Sequence, residues 1–142
     1  MTISDLDDDG TAEITVPITA FYGFERSRLT TMETPLPEII FKHDPVRNEY
    51  VPASPNFKAC LLKDIEAAEK NLHALNKEVG LGQLLSVVLD YVFVGEERRG
   101  WQLFEESCKL PDKSRIRKDA EKTLRKHPVY RFLQSHHYGT MA

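Results

Sequence analysis

Apolar residues recur at steps of three and four between Leu61 and Val79, which is the spacing of one face of an α-helix. The stripe consists of Leu61, Ile65, Ala68, Leu72, Leu75 and Val79. Pro55 suits the first turn of such a helix, and a glycine such as Gly80 commonly follows its last turn. The pattern therefore predicts an amphipathic helix that starts near Pro55 and ends at Gly80.

Three further helices are predicted after it. Residues 84–94 are apolar almost all round, which is typical of a helix buried on every side. Another helix begins at Glu96 and Glu97, where the helix dipole favours acidic side chains, and the last runs from Pro111 to just before Pro128. The residues of these two helices predicted to face inward are Trp101, Phe104, Cys108, Ile116, Ala120 and Leu124.

The first 57 residues carry six of the eight prolines, so no helix of normal length is expected there. Residues 14–16 alternate apolar and polar side chains, which predicts a half-buried strand. Residues 38–42 and 48–51 are strand-like and flank a five-residue segment containing the turn-forming pair Asp44-Pro45. These two segments are predicted to form a hairpin.

The chain of 142 residues suits one domain, and we predict an α+β fold. A small proline-rich β portion, residues 1–57, is expected to pack on three to four antiparallel helices within residues 58–133. Residues 129–133 are predicted to pack back as a short turn. Residues 134–142 are predicted to form a flexible tail.

Charge and hydropathy narrow the classes of function. No run of 18 apolar residues is present, so no membrane span is expected, and Met1 does not begin a recognisable signal peptide. The net charge of -3 excludes a wholly basic nucleic-acid-binding protein. The charge is nevertheless uneven, because residues 1–44 hold nine acidic and three basic side chains, whereas residues 109–142 hold three acidic and nine basic ones.

The basic end includes the predicted helix 112–126. Such a charged run is most often a solvated helix face, and the alternative is contact with a polyanion. The candidate residues for that contact are Arg115, Lys118, Lys122 and Arg125. Because no base-reading motif accompanies them, nucleic acid is not the favoured partner.

The acidic end contains a pattern with metal-binding spacing. Residues 5–13 read DLDDDGTAE, which places carboxylates at loop positions 1, 3, 5 and 9 and a glycine at position 6. Calcium prefers six to eight hard oxygen ligands and tolerates irregular geometry, whereas magnesium requires a tighter octahedron. The loop is not an EF-hand, because its twelfth position is Val16, which has no carboxylate.

The loop resembles the integrin-type calcium loop of FG-GAP repeats, a DxDxDGxxD/E segment that leads into a strand and is common in bacterial secreted and surface proteins. This resemblance covers about nine residues and implies calcium bound by Asp5, Asp7, Asp9, Glu13 and the carbonyl of Thr11. A propeller is not implied, because only one copy is present. A strand normally precedes such a loop, yet only four residues precede it in this chain. We therefore expect the chain to be a piece of a longer protein. The alternative to calcium binding is a flexible acidic terminus.

Residues 84–111 resemble a single tetratricopeptide repeat. The matching positions are Leu84, Val87, Tyr91, Gly95, Gly100, Phe104 and Ser107. Val88 replaces a small residue, and Pro111 comes one position early. Gly100 and Ser107 would permit two helices to approach closely. An ordinary antiparallel helix pair is the alternative, and both place these residues in the core.

The sequence favours a non-enzymatic, calcium-stabilised binding or structural domain of an exported bacterial protein, with a protein partner that it does not identify. The calcium loop, if occupied, favours a periplasmic or extracellular location. A cytoplasmic helical adaptor or nucleic-acid-associated protein is one alternative. Another is an enzyme whose site would be a pocket lined by converging acidic or histidine side chains. Cys60 and Cys108 could form a disulfide or stay as thiols.

Overall fold

The computed structural model describes residues 1–74 and 79–136 and contains a four-stranded antiparallel sheet. Its strands lie in chain order, and each pairs with the one before it. They are β1 (Thr2–Ser4), β2 (Glu13–Pro17), β3 (Glu38–Asp44) and β4 (Glu49–Pro52). The predicted strand at 14–16 and the predicted hairpin are thus confirmed, and the turn between β3 and β4 is four residues long rather than five.

Within the described residues, five α-helices follow the sheet, which confirms the α+β class. They are α1 (Lys58–His73), α2 (Leu81–Phe93), α3 (Glu97–Ser107), α4 (Lys113–Lys126) and α5 (Pro128–Ser135). Two short 3-10 turns, Thr31–Glu33 and Ser54–Phe57, lie in the connections. Helix α1 ends at His73, earlier than predicted, and Leu75 lies outside the described residues.

The fifth helix exceeds the three to four that were predicted. Residues 129–133 form a helix rather than a short turn, because Pro128 occupies its first turn, where no backbone donor is needed. His127 caps this helix by accepting a hydrogen bond from the Val129 amide at 3.2 Å through Nδ1. Helix α5 continues to Ser135, so the predicted tail begins with ordered residues, and 137–142 lie outside the described part.

Helix α2 lies at the centre of the core. Leu85, Val88 and Leu89 are fully buried, as its uninterrupted apolar sequence predicted. The predicted inward residues of α3 and α4 are buried with them: Trp101, Phe104, Cys108, Ile116, Ala120 and Leu124. The α1 stripe contributes less, since Ile65 is buried and Leu61 and Leu72 are only partly so.

Helices α2 and α3 approach each other closely at Gly100. A Cβ atom there would lie 2.7 Å from the carbonyl oxygen of Val88, so the predicted need for glycine at this crossing is confirmed. The likeness of this helix pair to a tetratricopeptide repeat stays a prediction. Both cysteines are free thiols, with Cys60 exposed and Cys108 buried. No helix in the described ranges is long and apolar enough to cross a bilayer.

Candidate metal site

The acidic loop connects the first two strands of the sheet. Strand β1 pairs with β2 so that Ser4 lies opposite Glu13, and residues 5–12 span the end of this hairpin. A strand therefore precedes the loop. The pairing also fixes Glu13, the last acidic residue of the motif, as the first residue of β2.

Four of the predicted ligands come together at this end of the sheet. Asp5, Asp7, Asp9 and Glu13 each contribute a carboxylate oxygen, and these oxygens all lie within 4.8 Å of one another. Asp8 is not a member of the group, although its carboxylate lies in the same loop. The carbonyl of Thr11 stays a predicted ligand.

The loop folds around its own carboxylates. Asp5 accepts hydrogen bonds from the amides of Asp9 (3.2 Å) and Gly10 (2.9 Å), and Asp9 accepts one from the amide of Thr11 (2.9 Å). Gly10 has a φ of 87°, a backbone conformation that favours glycine, and Asp8 is also left-handed with a φ of 58°. These bonds orient Asp5 and Asp9 within the cluster.

Glu13 differs from the aspartates because its side chain is completely buried. Its Oε1 atom accepts a hydrogen bond from the Leu6 amide at 2.7 Å. Its Oε2 atom is buried without a hydrogen-bond partner among the described residues. A buried carboxylate oxygen without a hydrogen-bond donor is costly, so a positive charge close to Oε2 is favourable.

Lys42 of β3 is the cation that the chain itself supplies. Its Nζ atom donates hydrogen bonds to Asp7 and to Asp9, the latter at 2.8 Å, and lies 3.9 Å from Oε2 of Glu13. The hydrogen bond from Lys42 and that from the Thr11 amide lower the pKa of Asp9 to about 2. The same contacts with Asp7 and Asp9 raise the pKa of Lys42 above its usual range.

Sequence reasoning missed Lys42. Ile14 of β2 pairs with Phe41 of the antiparallel strand β3. Glu13 precedes Ile14 and Lys42 follows Phe41, so the register brings Lys42 beside Glu13. The one available signal was compositional, since Lys42 is one of only three basic residues among the first 44. One ammonium group leaves the four clustered carboxylates with a net negative charge.

The basic side chains of α4 differ in whether they form ion pairs. Arg115 forms ion pairs with Glu25, Asp112 and Asp119. Arg125 contacts Glu121 at the edge of ion-pair distance, 4.0 Å. Lys118, Lys122 and Lys126 follow one another at steps of four and have no side-chain partner among the described residues. The lysines, rather than Arg115, are therefore the charges of α4 that a polyanion could reach.

A cavity of about 340 Å³ lies where β3, α1 and α2 meet. It is lined by Leu36, Glu38, Ser54, Leu61, Asp64, Ile65, Asp90, Phe93 and Val94. Burial and the nearby charge of Glu38 raise the pKa of Asp90 to about 7. A pocket lined by acidic side chains is the feature expected if the protein is an enzyme. Neither histidine nor cysteine is among the described residues that line this cavity.

Comparisons with protein-family models, with curated proteins and with solved structures gave no match.

Proposed function

We propose that this chain is a non-enzymatic, calcium-stabilised binding domain of an exported bacterial protein. The observation that carries the proposal is the Oε2 atom of Glu13, which is buried without a hydrogen-bond partner beside the carboxylates of Asp5, Asp7 and Asp9. Four acidic side chains are held together there even though their mutual repulsion opposes it. A bound divalent cation would remove both the repulsion and the unsatisfied oxygen.

The separation of the carboxylates fits calcium. Calcium lies about 2.3–2.6 Å from its oxygen ligands, so two ligands on opposite sides of the ion stand roughly 5 Å apart. The oxygens of the cluster lie within 4.8 Å of one another, and no pair is therefore too far apart to share one ion. With the carbonyl of Thr11 and water, these side chains can complete the six to eight ligands that calcium requires.

The role of the ion would be structural. Calcium would join the loop after β1 to the first residue of β2, and so close the exposed end of that hairpin. Binding to the folded state alone stabilises a protein by about 2.7 kcal/mol when the free ion is at one hundred times its dissociation constant. Calcium sites of extracellular modules have dissociation constants of about 10⁻⁴–10⁻³ M, which suits an exported protein. The helical surface would then contact a protein partner.

Thermal unfolding tests the proposal. The chain is unfolded in chelator, in millimolar calcium and in millimolar magnesium, and we expect calcium to raise Tm by several degrees more than magnesium does. Asp7→Asn should remove most of that rise. Asp8→Asn is the matched control, because it makes the same charge change in the same loop at a side chain outside the cluster. Equal Tm in chelator and calcium would refute the proposal.

A second candidate function uses the basic helix. Lys118, Lys122 and Lys126 lie along one face of α4 without partners among the described residues, which favours contact with a polyanion such as a nucleic-acid backbone. A cytoplasmic or nucleic-acid-associated role would then replace the exported one. Binding to a labelled DNA duplex should weaken steeply with salt and be lost in the triple lysine-to-alanine variant. Absence of binding at low salt would exclude this candidate.

A further inference from the structure

The acidic cluster already holds a cation that belongs to the chain. The Nζ atom of Lys42 contacts Asp7 and Asp9 and lies 3.9 Å from Glu13, so it faces three of the four side chains that would bind calcium. A divalent ion bound to the same oxygens would stand within a few ångströms of this ammonium group. Two cations at that distance repel each other strongly, and the ion and the ammonium therefore cannot share the cluster.

The side chain of Lys42 has an alternative position outside the acidic cluster. Its side chain is 28% exposed, and its ammonium already lies 6.0 Å from the centre of the Phe57 ring, near the limit for a cation–π contact. The lysine stem is flexible, so the ammonium can turn toward solvent over this ring without moving β3. Asp7 and Asp9 would then be released to an ion.

We propose that Lys42 competes with calcium for the acidic loop: its ammonium fills the cluster when calcium is scarce and leaves it when calcium binds. This inference rests on the proposed function and names what regulates that site. Calcium must break the hydrogen bonds of Lys42 with Asp7 and Asp9 before it binds, so Lys42 lowers the apparent affinity. In the absence of calcium, the same ammonium reduces repulsion among the carboxylates and keeps the loop folded.

The test compares calcium affinity in matched variants of the full chain by calorimetric titration. Lys42→Met removes the ammonium and keeps an unbranched apolar side chain. Lys63→Met makes the same exchange at an exposed lysine of α1 that has no side-chain partner among the described residues. In Lys42→Met, calcium no longer has to displace one or two ion pairs of the ammonium, so its dissociation constant should fall by about tenfold. The dissociation constant of Lys63→Met should match that of the parent within about twofold.

The outcomes separate the two proposals. If the parent binds calcium but Lys42→Met binds no more tightly than Lys63→Met, the competition is refuted and the calcium site stands. If neither the parent nor Lys42→Met binds calcium, the proposed function fails and this inference fails with it.

A second measurement on the parent protein does not depend on the folding of any variant. The NMR signals of the Lys42 side-chain ammonium and its ε-carbon should shift during the calcium titration, because the ammonium leaves Asp7 and Asp9. Calcium binding with unchanged Lys42 signals would refute the competition.

Discussion

Arg115 and Glu25 are 90 positions apart in the chain and are joined by two hydrogen bonds, of 2.8 and 3.3 Å. The Glu25 side chain is only 7% exposed, and Arg115 also binds Asp112 at the start of α4. Asp112 in turn accepts two hydrogen bonds of 3.0 Å from Arg28. These contacts join the connection between β2 and β3 to α4, so Arg115 has a structural role although its side chain is half exposed.

Arg115→Met should therefore lower Tm, because it leaves the poorly exposed carboxylate of Glu25 with one fewer partner. The hydrogen bonds from Arg28 and Arg115 lower the pKa of Asp112 to about 2, below its usual 3.8. A depressed carboxyl pKa contributes stability that is present above pH 4 and is lost as the pH falls toward 2. The loss of Tm should thus be largest near pH 7 and should shrink in acid.

Lys122→Met is the matched control for Arg115→Met, since Lys122 lies on the same helix without a partner among the described residues. Thermal unfolding should give this variant the Tm of the parent. Equal Tm values for both variants at pH 7 would contradict a structural role for Arg115.

Asp90 is predicted to weaken the fold above neutral pH. Burial raises its pKa to about 7 from a usual 3.8, so the unfolded chain loses this proton at lower pH than the folded one. Stability should then fall as the pH rises from about 4 to 7, and the penalty should be complete above 7. Asp90→Asn should raise the free energy of unfolding by up to about 4 kcal/mol at pH 8 and by little at pH 4.

Denaturant unfolding at the two pH values measures this difference. Asp64→Asn is the control, because Asp64 lines the same cavity but is exposed. A gain for Asp90→Asn that is the same at pH 4 and pH 8 would show that ionisation of Asp90 is not its cause.

Gly100 should not tolerate a side chain. A Cβ atom there would lie 2.7 Å from the Val88 carbonyl oxygen and 3.1 Å from the Cβ of Tyr91, so α2 and α3 would have to separate. Overpacking of this kind costs about 1–3 kcal/mol. Gly100→Ala should therefore lower the free energy of unfolding by that amount.

Gly80→Ala provides the comparison for Gly100→Ala, since the nearest atom to an added Cβ is the Gln83 side-chain oxygen at 3.9 Å. Denaturant unfolding should show a far smaller change for this variant. A Gly100→Ala protein as stable as the parent would mean that the two helices can move apart at little cost.

Asp8→Gly should stabilise the acidic loop. Asp8 has a φ of 58°, which glycine adopts without the strain that a side chain brings, and its carboxylate lies outside the cluster. We expect a gain of about 1 kcal/mol in chelator, measured by thermal unfolding. A loss of stability would indicate that the Asp8 side chain makes a contact of its own.

The fold could largely be predicted from local patterns. The apolar sequence of α2 predicted its burial, because a helix without a polar face must be covered on all sides. The prolines of the first 57 residues predicted strands rather than helices. Local patterns do not predict helix α5, because a proline indicates the end of the preceding helix, whereas Pro128 also suits the first turn of the next one.

The four carboxylates of the acidic site were likewise predictable. The spacing of the carboxylates in residues 5–13 identified Asp5, Asp7, Asp9 and Glu13 before their oxygens were found together. The burial of Glu13 was not predictable, since it depends on how β2 is covered by the rest of the protein.

Local sequence patterns indicate most of the helical and extended segments, the apolar faces and the gathering of four carboxylates, because these properties depend on neighbours within a few positions. Contacts between distant parts of the chain, by contrast, place Lys42 among those carboxylates, pair Arg115 with Glu25 and put Asp90 in the lining of a cavity. Each of these relationships joins residues far apart in the chain. Strand register and helix packing, rather than local spacing, bring such residues together.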